Sequence, residues 1–435
     1  MRKNSVRSHR QAAKGESGGA LLAALILVVL SGIMGATILF ATSTDLQISG
    51  NFRRAVQSLY AAEAGLAETQ RRLAGLPATD PWYIGDPSPI PQANWAAYVL
   101  TNAHWQPQED PGYSTLLTNY VPSNGDITNT LIHSNSLQSL LSYWTKIQHK
   151  TEYDAEQAGH SVGVPHYVDG DGLLIAHTKA NKGQLIRFGY PDVSSTQPGQ
   201  FSVSSPSLYP PVEIIRSQGE VEGAMAILQV DAAHQPGPPI WAPVYVRNHL
   251  GLLGGAITIQ GQDSCGMLPG DRPPVSLGPL ATILGTATLT GNPGIPQRGP
   301  DALDLSGHLD RLKRSGQRIS GDLTGITMGI PGTPTVQVAD YSGGLLRVTN
   351  VTGYGVLLVD GSLEIFPPFH WEGLILVTGQ VTVQAGFSPV TIRGAVFMDS
   401  LQLLNNTITI SLDTCPIAAA LPLLPIRILN WRQIL

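Results

Sequence analysis

Charge is scarce in this chain. Asp, Glu, Lys and Arg make up 13% of its 435 residues, with a formal net charge of −5, whereas ordinary soluble domains carry about a quarter charged residues. A balance this small and slightly acidic gives no basic footprint, so nucleic acid is not an expected partner. Cysteine is nearly absent as well. Cys265 and Cys415 are the only two, too few for a disulfide-dense scaffold, and no Cys-x-x-Cys supports a zinc site. In an oxidising compartment a distant pair is a natural disulfide; two buried free thiols are the competing reading. Glycine and proline number 47 and 33, the composition of a loop-rich β protein. The length admits two or three domains.

Against this background one stretch stands out. Gly19 to Ala41, GALLAALILVVLSGIMGATILFA, carries no charge and is long enough to cross the ~30 Å hydrocarbon core as one helix. Arg2, Lys3, Arg7, Arg10 and Lys14 precede it, with Glu16 as the one acid. That asymmetry keeps the N-terminus in the cytoplasm and sends the rest across the membrane. A cleaved secretory signal has a shorter apolar core and an Ala-x-Ala-like site, which the Ala-Thr-Ser-Thr-Asp starting at Ala41 matches poorly. A plain anchor is the simpler alternative. The helical pattern does not stop at the membrane, however. From Asp45 to Leu73, residues Phe52, Val56, Leu59, Tyr60, Leu66 and Leu73 recur at helical spacing. Gly75 and Pro77 close the pattern, and Gly50-Asn51 is its weak point. Such a helix is about 85 Å long, a stalk that an anchor does not need.

A basic leader ending in glycine, an apolar helix and then SGNFRRAVQSLYAAEAGLAE together resemble the N-terminal region of PilX-type minor pilins of type IV pili. The resemblance is strongest over residues 15 to 75. It implies cleavage by a prepilin peptidase between Gly18 and Gly19, followed by methylation of the new terminal amine. It also implies that a helix face carrying Ala23, Phe52, Val56, Leu59 and Glu63 packs against other pilins. Major pilins carry a glutamate at the fifth mature position, where this chain has Ala23. A membrane carboxylate is costly unless paired, and a subunit lacking it suits a tip or initiating position. The implied location is the inner membrane, single-pass with a periplasmic body, and then a pilus on the cell surface. The large tip pseudopilin of a type II secretion system and a plain envelope scaffold are the alternatives.

The rest of the chain is read as β-rich. Residues 78 to 240 form a mixed, loop-rich domain, in which PVEIIRSQG and AMAILQVDA are expected to pair as a hairpin. Residues 241 to 435 form a β-rich C-terminal domain, with a short amphipathic helix within 300 to 315. GVLLVDGSLEIF, GLILVTGQVTVQ and GAVFMDSLQLLN recur about 20 residues apart, the period of a short β-solenoid; a sandwich is the other reading. PPFHWEG and the tail IRILNWRQIL are expected to cap or edge that stack. The fold class is therefore α+β, a long pilin-like transmembrane helix followed by a β-rich body.

Two motifs invite chemistry. Gly159-His160-Ser161-Val162-Gly163 matches the nucleophile elbow of hydrolases, but neither a buried strand before it nor a helix after it supports that role. Asp169 and Asp171 alternate with glycines as calcium ligands do, yet LLIAHTKA after them supplies no further acid. Both are read as turns. No enzyme activity, cofactor or metal is expected.

Overall fold

The apolar run and the amphipathic segment behind it form one 57-residue helix, Ser17–Leu73, the stem. It continues unbroken through Gly50-Asn51. From Gly19 to Ser49 every residue is exposed, although the segment is strongly apolar. Thr37, Thr42 and Thr44 hydrogen-bond the carbonyls of Ile33, Ile38 and Phe40 four residues back, which hides their hydroxyl protons from an apolar surrounding. The computed structural model describes residues 17–74, 83–86, 92–100, 120–122, 141–157, 167–168, 182–189, 208–268, 270–299 and 302–434.

The lower end of the stem packs on a six-stranded sheet. Its order is Ile426–Ile434, Ala224–His234, Glu213–Val221, Leu141–His149, Ala96–Leu100 and Tyr120–Pro122. All neighbours are antiparallel except the last pair. The hairpin between Glu213–Val221 and Ala224–His234 turns on Glu222-Gly223, both at positive φ (47° and 82°), the combination that follows strand twist in a two-residue turn. Ile147, Ile215 and Val230 point from the sheet into a core shared with Leu66 and Leu73 of the stem.

The tail corrects one expectation. Ile426–Ile434 does not edge the C-terminal stack; it pairs with Ala224–His234 as an outer strand of the first sheet. Ile426 joins the stem-facing core and Leu429 a small cluster with Ile186 and Phe188, so burial directs the strand back. Residues 235–240 link Ala224–His234 of this sheet to the first strand of the next.

The second sheet has eleven strands, and every pairing between its strands is parallel. It is a solenoid rather than a sandwich. The blocks starting at Gly355, Gly373 and Gly394 lie on successive rungs, with Leu363 opposite Val381, Val381 opposite Leu401, and Leu374 opposite Ala395. Their apolar positions fill one long core. PPFHWEG lies inside the stack instead of capping it. Phe369 and Trp371 alternate inward, buried, with ring centroids 6.3 Å apart.

The winding order is not sequential. The chain enters mid-stack at Val244–Gln260 and adds rungs outward to Gln297–Arg298. It then crosses to the opposite end, Gln317–Ile319, and winds back until Val390–Ser411 lies against Val244–Gln260. The helix Leu305–Leu312 lies on this crossing, capped by Asp304. Its Leu305, Leu309 and Leu312 share a second core with Val336, Leu358 and Leu374 of the rungs. At the far end of the last rung, Cys265 and Cys415 form a disulfide. Asp263 beside it accepts hydrogen bonds from the backbone of Cys265, Leu268 and Thr414 and from the Thr414 hydroxyl.

Gly373 shows what the stacking demands. It sits at φ +128°, and a Cβ there would overlap the carbonyl oxygen of Gly355 on the rung before. Gly373→Ala is expected to cost at least about 2 kcal/mol and lower the melting temperature. Gly321→Ala, in open space, should change stability by less than about 0.5 kcal/mol. Equal melting temperatures for the two variants would contradict this account.

Candidate assembly interface

Beyond the bare apolar segment the stem has two distinct faces. At 100° per residue, Ser58, Ala61, Ala62, Gly65 and Thr69 share one side, and all are buried against the body. These side chains are small because the backbones come close. A Cβ at Gly65 would overlap Ser217 and Tyr143, and one at Gly219 would overlap the backbone of Ser58 and Ala62. The Ala-Ala-Glu-Ala-Gly segment is thus a docking surface for the sheet. Large side chains guided the sequence reading of the helix face, so Ala61, Ala62 and Gly65 escaped it. Their small size at i, i+1 and i+4 was the available signal.

Leu66 and Leu73, read as part of one stripe with Phe52 and Tyr60, belong to the docked side. Phe52 and Tyr60 are 71% and 61% exposed. Of the residues assigned to an assembly face, Ala23, Phe52 and Glu63 are exposed, and Val56 and Leu59 are half-buried. Phe52, Val56, Leu59 and Glu63 share one flank of the helix at i, i+4, i+7 and i+11, with Phe52 and Glu63 open and Val56 and Leu59 partly covered. Ala23 lies on the bare apolar segment. Gly18-Gly19 lies at the start of the helix. The basic segment 1–16, Ser161, Asp169 and Asp171 lie outside the described residues.

Buried ion pairs lock the foot of the stem. Arg72, 1% exposed, meets Glu68 at 2.7 Å, and Glu68 also accepts from the Tyr143 hydroxyl. Ile84 donates its backbone N–H to the Arg72 carbonyl. Nearby, His149 lies between two carboxylates, with Nδ1 2.9 Å from Glu213 and Nε2 3.3 Å from Asp86. Burial alone lowers the pKa of this imidazole, but Glu213 and Asp86 outweigh it and raise the value to about 9. Both ring nitrogens then donate. The group is an ion-pair clamp and not a general base at neutral pH. Tyr83 is pushed up to about 12 by burial and by the same two carboxylates. Lys150 and Asp231 form a further buried pair at 2.6 Å.

No family model matches the chain, and no curated protein matches it. Among solved structures, the competence-associated pilin ComZ from Thermus thermophilus is similar at 11% identity. The match covers 88% of this chain and 97% of that one, with a TM-score of 0.22.

The clamp has a pH signature. Because the folded pKa of His149 lies above the ordinary value of 6.5, its stabilisation is complete below about pH 6.5 and is lost as pH rises through about 9. The melting temperature of the wild-type protein should fall across that window, and His149→Gln should flatten the slope. A wild-type slope that survives His149→Gln unchanged would contradict the assignment.

Proposed function

We propose that this protein is a minor pilin that primes or caps a type IV pilus and displays its β-rich body for adhesion or surface contact. The observation that carries this reading is the two-faced stem. One side is docked on the body through small residues, while the other presents Phe52, Val56, Leu59 and Glu63 below a bare apolar segment. A plain anchor needs neither a helix of about 85 Å nor a second, partly open apolar face. In this reading the apolar segment sits in the inner membrane with the body in the periplasm. A prepilin peptidase cuts between Gly18 and Gly19, and the new amine is methylated. Ala23 at the fifth mature position and the bulk of the solenoid favour a tip place over a shaft place. The same features suit a large tip pseudopilin of a type II secretion system, which is the second reading. The body acts by contact and not by catalysis.

Mass spectrometry of the mature N-terminus, with and without the peptidase, tests the pathway. A methylated start at Gly19 that disappears without the peptidase is expected. An intact Met1 in both strains, or a start near Asp45, would overturn the reading. The two faces make a separate prediction. Phe52→Glu should leave the melting temperature within the range of surface substitutions, about 0.5 kcal/mol in stability, while abolishing recovery of the protein in sheared filaments. Ala62→Glu should instead destabilise the fold, because it buries a carboxylate between helix and sheet. Normal filament recovery of Phe52→Glu would remove the outer face from assembly.

A further inference from the structure

The face of the first sheet turned away from the stem holds a cleft of about 260 Å³. Strand register assembles it. Lys146 lies opposite Arg216, Arg216 opposite Gln229, and Gln229 opposite Arg432. One row across four strands therefore carries three cations and an amide. The next row contributes Gln148, Ile214, Asp231 and Asn430. Two carboxylates line the cleft, and both are engaged. Asp231 holds the ammonium of Lys150 at 2.6 Å, and Asp154 accepts hydrogen bonds from the backbone and hydroxyl of Thr151.

Arg216 and Arg432 differ from these. Both are exposed, and among the described residues neither side chain has an ion-pair or hydrogen-bond partner. Setting like charges directly opposite, as Lys146 and Arg216 are, opposes pairing of the strands. Lys146 is itself engaged, over the Tyr98 ring, which leaves Arg216 and Arg432 as the two charges on this row that an anion can pair.

We infer that this cleft binds an acidic polysaccharide, with Arg216 and Arg432 each gripping a carboxylate of the polymer. Guanidinium forks match carboxylates in bidentate fashion. The two arginines stand two strand spacings apart, about 10 Å, roughly the length of a disaccharide. Gln148, Gln229 and Asn430 lie between and beside them as donors and acceptors for sugar hydroxyls. A single-stranded nucleic acid fits less well, because such sites stack successive bases on exposed aromatic rings. Among the described lining residues the one ring is Tyr153, which is half-buried. This inference goes beyond the pilin reading and does not require incorporation into a filament.

Binding of polygalacturonate to the full-length protein in detergent micelles tests it, with dextran and oligothymidylate as comparators. Affinity for polygalacturonate should fall about tenfold in Arg216→Gln and in Arg432→Gln, and should weaken as salt rises. Both positions are exposed and beside like charge, so melting temperatures should not fall. Arg318→Gln, which removes an exposed charge from the solenoid, should bind as wild type. Equal losses in all three variants, equal binding to dextran, or tighter binding to oligothymidylate would each overturn the inference. A failed N-terminal processing experiment would leave this result untouched.

Discussion

The close approach of the stem to its sheet is the contact on which the rest of the molecule depends. Gly219 removes a side chain where the sheet meets the helix backbone, Gly65 removes one where the helix meets the Ser217 and Tyr143 side chains, and Ser58, Ala61 and Ala62 keep the seam narrow. Such a seam gains dispersion contacts along its length and tolerates no added carbon. It fixes which side of the helix faces the body, and so which side is left for something else. At its foot Glu68, paired with Arg72, accepts from Tyr143 of the sheet, and the Arg72 carbonyl accepts from Ile84, next to the Asp86 that pairs with His149 and, through it, Glu213. A buried pair stabilises only while both partners remain, which gives this junction its dependence on pH.

The body meets a different constraint. A solenoid buries the face of each rung under the next, and its strands are parallel, so no hairpin can supply the pairing. Here the last rung lies against the first, with Ile257 and Ile259 opposite Ile408 and Ile410. The disulfide between Cys265 and Cys415 and the four hydrogen bonds to Asp263 close the same junction. Local winding and long-range closure are thus joined at one place. The tail then leaves the stack and completes the first sheet, which ties the two sheets together through the chain itself.

Much of this was legible where the signal is local. A charge-free run of about 23 residues and apolar side chains at helical spacing made the stem plain, and the repeating blocks at Gly355, Gly373 and Gly394 pointed to rungs while a sandwich stayed open. What escaped was set by distance. The tail pairs with a strand far back in the sequence, so its partner followed from burial of Ile426 and Leu429 and not from its neighbours. The segment holding Phe369 and Trp371 was expected to cap or edge the stack, but alternation turns both rings inward. The docked face was hidden because its residues are small. Lys146, Arg216 and Arg432 meet only through the register of strands that no local pattern reveals.

Hydrogen exchange on the stem tests the central claim, that one half of the helix is part of the body and the other is not. Amides from Ala61 to Leu73 should exchange as slowly as those of Glu213–Val221, because opening either requires separating helix from sheet. Amides from Asp45 to Arg54 should exchange much faster in the isolated protein. Equal protection along both segments, or fast exchange throughout the stem with the sheet intact, would contradict the docking that organises this account.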